Sequence, residues 1–234
     1  MTTEQSAPTP EQRLTTLREL LIHRPPMARE LPAFEVAQAP ADPAELFVDW
    51  LLAAMRGGVP DAQVLTLGTA GLDGTPDARI VTLRDVDPAN GEWWFWGELH
   101  SAKGRQLAAD PRAALTWYWP ALGRQVRVRG AVRAGSVAAA GETFRLLSPK
   151  SRAASLVGRQ SEPLEEVAQF RAAWAAAERE LAADQGIVAA GYTQYAVRAE
   201  EVEFWQGADD RRHVRLAYRR PAGTGEWTRG VLWP

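Results

Sequence analysis

Cationic side chains and hydroxyl- or amide-bearing ones recur on or beside the strand-like stretches of this chain: Arg79, Arg84, Ser101, Lys103, Gln125, Gln160, Ser161, Arg211, His213 and Arg215. Cations backed by hydroxyl and amide donors suit an anionic, hydrogen-bonding ligand such as a phosphorylated cofactor, because charge-assisted hydrogen bonds are the strong ones. Singly, each has an ordinary reading: an arginine on a strand is usually a solvated charge, and a lone histidine is usually structural. Only their joint spacing favours a site. Several other chemistries lack their residues. The chain has no cysteine, which excludes disulfides, cysteine-ligated clusters and thiol catalysis. His23, His100 and His213 lie far apart and offer no helical pair for zinc. No GxSxG, P-loop, HExxH or GxGxxG after a strand occurs.

The elements that must position these residues are those of an ordinary globular domain. Hydrophobic residues make up 46% and charged residues 24% of the 234, enough for a sizeable core. The formal net charge of -2 excludes a chain-wide basic field for nucleic acid. No apolar run reaches membrane-spanning length. The opening Met1-Thr-Thr-Glu-Gln-Ser lacks a basic-then-apolar leader pattern, so the expectation is a cytoplasmic protein without membrane contact. The 10 tryptophans predict a large buried interface, since such amphipathic rings fill cores and interfaces.

Residues 1–40 are rich in Pro, Thr, Ala and Glu and read as a mobile arm with one short helix at 11–22. The rest, 41–234, reads as a single domain. Asp42-Pro43 marks a helix start, and Gly57-Gly58 ends that helix. Strands are predicted at 63–68, 78–83, 92–96, 113–119 and 124–130, with a short helix capped by Ser101 before Pro111. Residues 136–190 read as helical, most strongly from Leu164 to Asp184. Strands return at Thr193–Val197, Val202–Trp205, Val214–Tyr218 and Trp227–Leu232. Short strands at hairpin spacing with inserted helices predict a mainly β fold, an antiparallel barrel with α additions.

Six segments carry a resemblance that covers the chain from about Leu31 to Pro234. They are Arg79-Ile-Val-Thr-Leu-Arg84, Phe95-Trp-Gly-Glu-Leu-His-Ser-Ala-Lys-Gly-Arg105, Asp110 to Trp119, Gly123-Arg-Gln-Val-Arg-Val-Arg-Gly130, Arg159-Gln-Ser161, and Val202-Glu-Phe-Trp-Gln-Gly207 followed by Arg211-Arg-His213-Val-Arg215. In this order they resemble the pyridoxine/pyridoxamine 5′-phosphate oxidase family, with the FMN oxidases of phenazine biosynthesis as close relatives. The resemblance implies an FMN-binding split β-barrel and a homodimer with FMN at the subunit interface. It implies that Arg79 and Lys103 hold the FMN phosphate with Ser101 nearby, that Ile80, Val81 and Thr82 line the flavin, and that Trp96, Gly97 and Gln125 contact it. It further implies that Gln160, Ser161, Trp205 and Arg215 reach the flavin from the partner subunit. Arg84, Ser151, Arg211 and His213 would meet the substrate, with Arg211 and His213 over the flavin face. The implied reaction removes hydride from a small-molecule substrate and passes the electrons to O2, giving H2O2.

The sequence departs from the family pattern in the substrate clamp. Arg84 stands where the family usually has lysine, and Thr143 and Leu147 stand where a tyrosine and an arginine are expected; outside the clamp, Ala102 replaces an arginine beside the FMN phosphate, and Trp96 and Gly97 replace the usual tyrosine and threonine. Lys150 or Arg145 could compensate after a shift of register. Pyridoxamine/pyridoxine 5′-phosphate is the leading substrate on this reading. The alternatives are an FMN oxidase of a reduced aromatic metabolite and a non-catalytic flavin- or haem-binding module.

Overall fold

Residues 7–221 and 225–234 are described by a computed structural model, so the first six residues of the expected arm lie outside the description. The elements, in chain order, are α1 (Pro10–His23), α2 (Pro43–Arg56), β1 (Val64–Ala70), β2 (Pro76–Asp87), β3 (Glu92–Glu98), α3 (Ala102–Ala109), β4 (Arg112–Trp119), β5 (Arg124–Ala134), α4 (Val137–Arg145), α5 (Pro149–Val157), α6 (Val167–Ala183), β6 (Tyr192–Gln206), β7 (Val214–Arg219) and β8 (Thr228–Leu232). The strands run in the order β3-β2-β1-β4-β5-β6-β7-β8, and a further β3–β6 pairing closes the first six into a barrel. The pairings are antiparallel. Closure removes the free edges that an open sheet would present.

Period-two alternation fills the barrel. Trp93 and Phe95 of β3, Leu115 and Trp117 of β4, and Val126 and Val128 of β5 are all fully buried. Helix α2 packs onto this core through its apolar stripe. It starts where Asp42 accepts the Ala44 N–H at 2.7 Å, with Pro43 at the first helical position. Phe47 meets Trp93 and Trp117 edge-on at 5.7 and 4.7 Å, and Trp50 meets Phe204 at 5.2 Å. Four of the ten tryptophans, Trp50, Trp93, Trp117 and Trp119, are thus core residues. The expectation that tryptophan content marks an interface is corrected to that extent: much of the aromatic mass fills the barrel.

Two element boundaries differ from expectation. The strands expected at Thr193–Val197 and Val202–Trp205 are one strand, β6. Its polar middle, Glu200-Glu201, looks like a break, yet Glu201 pairs with Arg129 and Arg219 on the flanking strands. The long helix begins at Val167 rather than Leu164, because Glu166 is still extended. The second half of the expected arm lies along the barrel: Tyr218 Oη donates to the Pro40 carbonyl at 2.8 Å, and Phe34 packs on Trp50 at 5.0 Å. Helix α1 has no buried residue.

Candidate functional site

A cavity of about 320 Å³ opens between β2, β3, the start of α3, and α5. Strand β2 lines it with Ile80, Val81, Thr82 and Arg84, and β3 with Trp96, Gly97 and Glu98. The β2–β3 register slips between Leu83 and Asp85, so Arg84 is the extra residue of a bulge. A bulge re-aims a side chain, and here the Arg84 guanidinium sits over the Trp96 ring, 5.1 Å from its centroid. Tyr192 packs edge-on against Trp96 at 5.8 Å, and burial of its hydroxyl pushes its pKa up, with Thr143 and Arg84 opposing the shift.

The other end of the cavity holds Lys103. Ser101 caps α3 by accepting the Gly104 N–H at 3.3 Å. Its hydroxyl also donates to the Glu98 carbonyl at 2.6 Å and accepts from Lys103 Nζ at 3.1 Å, so one serine fixes both the helix start and the ammonium. Glycine is required at position 104, where a Cβ would come within 2.0 Å of the Leu99 carbonyl oxygen; a Cβ on Gly97 would come within 2.6 Å of Lys103 Cε and displace that side chain. Lys103 is 8% exposed, and its hydrogen-bond acceptors, Ser101 Oγ and Gln160 Oε1, are both neutral. Burial pulls its pKa below the usual lysine value, with the neighbouring Glu98 carboxylate opposing the shift and the Arg79 guanidinium adding to it. A buried ammonium whose hydrogen-bond acceptors are neutral is a ready site for an anion.

Gln160 and Ser161 reach this end from the loop after α5. Ser161 Oγ accepts the Ala102 N–H at 3.2 Å, and Gln160 bonds Lys103, all within one chain. The loop is strained into place, with positive φ at Arg159 and Ser161 as well as Gly158. Helix α5 closes the cavity with Ser151, Ala154 and Ser155, preceded by Leu147. Buried Arg152 anchors the helix from behind by donating to the Gln185 and Ile187 carbonyls. Neither Lys150 nor Arg145 lines the cavity, and Thr143 instead accepts from Gln194 Nε2 at 3.0 Å.

Arg79 stands apart from the cavity lining. Its guanidinium donates to Thr69, Gln106 and the Leu67 carbonyl and pairs with Asp77 at 2.6 Å.

The remaining expected residues form a second group, none of which lines this cavity. Register puts Gln125 opposite Trp205, and Trp205 opposite Arg215. Directly opposed residues share a face, so the three make one row across β5, β6 and β7. Arg215 is aimed by Glu203 at 2.9 Å and by the Trp233 carbonyl at 2.9 Å. The β6–β7 loop carries Arg211, in the left-handed region with φ 68°, and His213. His213 Nδ1 accepts the Ala208 N–H at 3.0 Å, and its ring tilts over Trp205 at 4.9 Å. That bond leaves Nε2 as the protonated nitrogen of the neutral ring. The expected residues therefore fall into two separate groups on different strands. Tyr192, Glu98, Ala154 and Ser155 are cavity residues that sequence reading missed, because nothing local marks them.

The sequence pattern described as pyridoxamine 5′-phosphate oxidase matches residues 51–206, and that of the pyridoxine 5′-phosphate oxidase C-terminal dimerisation region matches 192–234. The pyridoxine/pyridoxamine 5′-phosphate oxidase of Thermosynechococcus vestitus is 38% identical over 198 residues, covering 85% of this chain and 92% of that one. The chain belongs to the pyridoxine/pyridoxamine 5′-phosphate oxidase family. The Maricaulis maris member is 37% identical over 200 residues, covering 82% of this chain and 86% of that one. Among solved structures, PhzG from Burkholderia lata 383, in complex with tetrahydrophenazine-1-carboxylic acid, matches with a TM-score of 0.79 and 25% identity over 88% of this chain and 100% of that one. Family membership makes the chain an FMN-dependent oxidoreductase on a split-barrel fold, as its motifs suggest. The dimerisation region of the family falls on β6, β7 and β8, the strands that carry Trp205, Arg211, His213 and Arg215. Among the described residues, no helix is long and apolar enough to cross a membrane, and no cluster of His, Asp or Glu could hold a metal ion.

Proposed function

We propose that the chain is a homodimeric FMN oxidase that converts pyridoxamine or pyridoxine 5′-phosphate to pyridoxal 5′-phosphate, with O2 as electron acceptor and H2O2 as product. The observation that carries this reading is a cavity with one cation at each end, Lys103 and Arg84, separated by the Ile80–Thr82 backbone and the Trp96–Gly97 wall. Such a cavity takes two anionic groups at once, a cofactor phosphate at Lys103 and a substrate phosphate at Arg84. The residues fit FMN: the Lys103 ammonium has neutral partners, and Ser101, Gln160 and Ser161 surround it with hydroxyl and amide groups.

When bound, FMN supplies the two-electron acceptor for the substrate and the route of those electrons to O2. Lys103 neutralises the cofactor phosphate, with Ser101 holding the ammonium in place. Ile80, Val81, Thr82, Trp96 and Gly97 form the wall against which a flat ring system lies. Arg84, held over Trp96, pairs with the substrate anion, and Ser151 offers a hydroxyl beside it. In the dimer, the Gln125–Trp205–Arg215 row of a second copy closes the cofactor site, and its Arg211 and His213 meet the substrate. His213 Nε2–H is then a donor to the substrate.

A second reading has its own support. Leu147 adds an apolar side chain to the cavity that Arg84 lines, and PhzG was solved in complex with tetrahydrophenazine-1-carboxylic acid. A single guanidinium over an aromatic wall suits a reduced aromatic carboxylate.

H2O2 release by the FMN-loaded protein in air, with aldehyde absorbance as a second readout, separates the two. Turnover of pyridoxamine or pyridoxine 5′-phosphate at micromolar concentration supports the first reading. A yellow dimer that leaves both untouched but oxidises a reduced aromatic carboxylate overturns it in favour of the second.

A further inference from the structure

Strand β6 carries two carboxylates on the face that bears Trp205, and each sits between guanidiniums from both flanking strands. Glu203 Oε1 accepts from Arg215 Nε of β7 at 2.9 Å, and its Oε2 accepts from Arg127 Nη1 of β5 at 3.4 Å. Two residues back, Glu201 pairs with Arg129 of β5 and Arg219 of β7, both at 2.9 Å. Register explains the repeat. Arg127 lies opposite Glu203 and Arg129 opposite Glu201, and side chains two apart on a strand share a face. The two triads differ in depth: the Glu203 side chain is 5% exposed, whereas both arginines of the Glu201 triad are more than half exposed. They differ also in place. Glu203 adjoins the Gln125–Trp205–Arg215 row, and Glu201 lies about 7 Å further along β6.

Charge counting gives each member a role. Arg215 and Glu203 alone make a neutral pair. Arg127, on the second carboxylate oxygen, leaves the triad with one net positive charge. A carboxylate buried this deeply is little screened, so the charge of the group is felt beyond contact distance. We propose that Arg127, through Glu203, maintains the positive charge that Arg215 presents to the flavin, and so raises the reduction potential of bound FMN. Arg127 and Glu203 are positioning residues in this role, since they act through Arg215. The proposal rests on the FMN reading above and on its placement of Arg215 at the cofactor of a second copy. Two-electron reduction puts negative charge on the flavin, so net positive charge nearby favours the reduced form.

The test is the two-electron reduction potential of FMN bound to the full-length protein, measured against a reference dye. For such a couple a tenfold change in the reduced-to-oxidised ratio is about 30 mV, so threefold is about 14 mV. Arg127→Gln makes the triad neutral and is expected to lower the potential by about threefold or more in that ratio. Glu203→Gln leaves two positive charges and is expected to raise it by as much. The double variant restores one positive charge and is expected to return to within about twofold of native. Glu201→Gln, in the more exposed triad, is expected to move it less than about twofold. The Arg127 side chain is 39% exposed, so its replacement opens no core, and Arg127→Gln decides alone if Glu203→Gln does not retain FMN. An unchanged potential in Arg127→Gln would overturn the proposal. So would shifts of the same sign in the two single variants, or a double variant that does not return, since a merely structural disturbance does either. Arg215→Gln separates the two levels. If it leaves both potential and FMN affinity unchanged, the placement of Arg215 at the flavin fails. If it lowers the potential while Arg127→Gln and Glu203→Gln do not move it, only the role of the triad fails.

Discussion

The Lys103 ammonium donates to the side-chain carbonyl of Gln160, 57 residues further along the same chain. That bond ties the start of α3 to the strained loop after α5. Removing the ammonium removes a charged hydrogen bond to the cofactor phosphate, typically about 1.5–3 kcal/mol. Lys103→Ala is therefore expected to weaken FMN by about one to two orders of magnitude. Fluorescence titration checks this.

The same lysine gives FMN affinity a pH dependence. Burial lowers its pKa in the apoprotein, so the folded apo form binds fewer protons than the unfolded chain as pH approaches the usual lysine value of 10.5. Its contribution to apoprotein stability accordingly rises with pH through that window. A bound phosphate restores the charge, so binding takes up a proton there, and FMN affinity falls as pH rises through the lowered pKa. Titrations at stepped alkaline pH should show this decline in the native protein and a flatter profile in Lys103→Ala.

Arg84 acts at the other end. Arg84→Ala removes the cation that the bulge in β2 places over Trp96. The KM for an anionic substrate should rise about tenfold or more, as for loss of a charged hydrogen bond, while FMN affinity stays within about twofold. Steady-state kinetics with a matched FMN titration tests the split.

Leu147 limits the charge of that end. Leu147→Arg adds a second cation beside Arg84 and is expected to raise kcat/KM for a phosphorylated substrate about tenfold. No change would show that the substrate phosphate does not lie against Leu147.

The core makes a simpler prediction. Phe47 is fully buried between Trp93 and Trp117. Phe47→Ala should cost about 3–5 kcal/mol of stability through the cavity it leaves, measured by denaturant unfolding of the holoprotein.

The barrel was legible because its signals are local. Alternation in Gln125–Arg129, the cap at Ser101 and the Asp42-Pro43 helix start each depend on a few neighbouring residues, and each appears in the structure as expected. The site was legible only as a list. Nothing in the sequence around Arg84 marks it as a bulge residue, since a bulge is a property of two paired strands. Gln125, Trp205 and Arg215 become a row only through the register of β5, β6 and β7. Gln160 joins Lys103 through a loop whose positive φ values no single residue type announces. The polar Glu200-Glu201 pair hid the continuity of β6, because the partners of Glu201 lie on other strands.

The two half-sites of one chain suggest a composite site at a two-fold interface, where each subunit supplies what the other lacks. Subunit complementation examines that most directly. Lys103→Ala and Arg211→Ala alter different half-sites, and each should be nearly inactive alone, with Arg211→Ala retaining FMN. Co-expressed under two tags, they form mixed dimers in which one of the two sites is intact. H2O2 production by the random mixture should recover to about a quarter of the native rate, as expected for half mixed dimers with one working site each. Activity of the mixture no greater than that of the two variants measured separately would contradict a site built from two subunits.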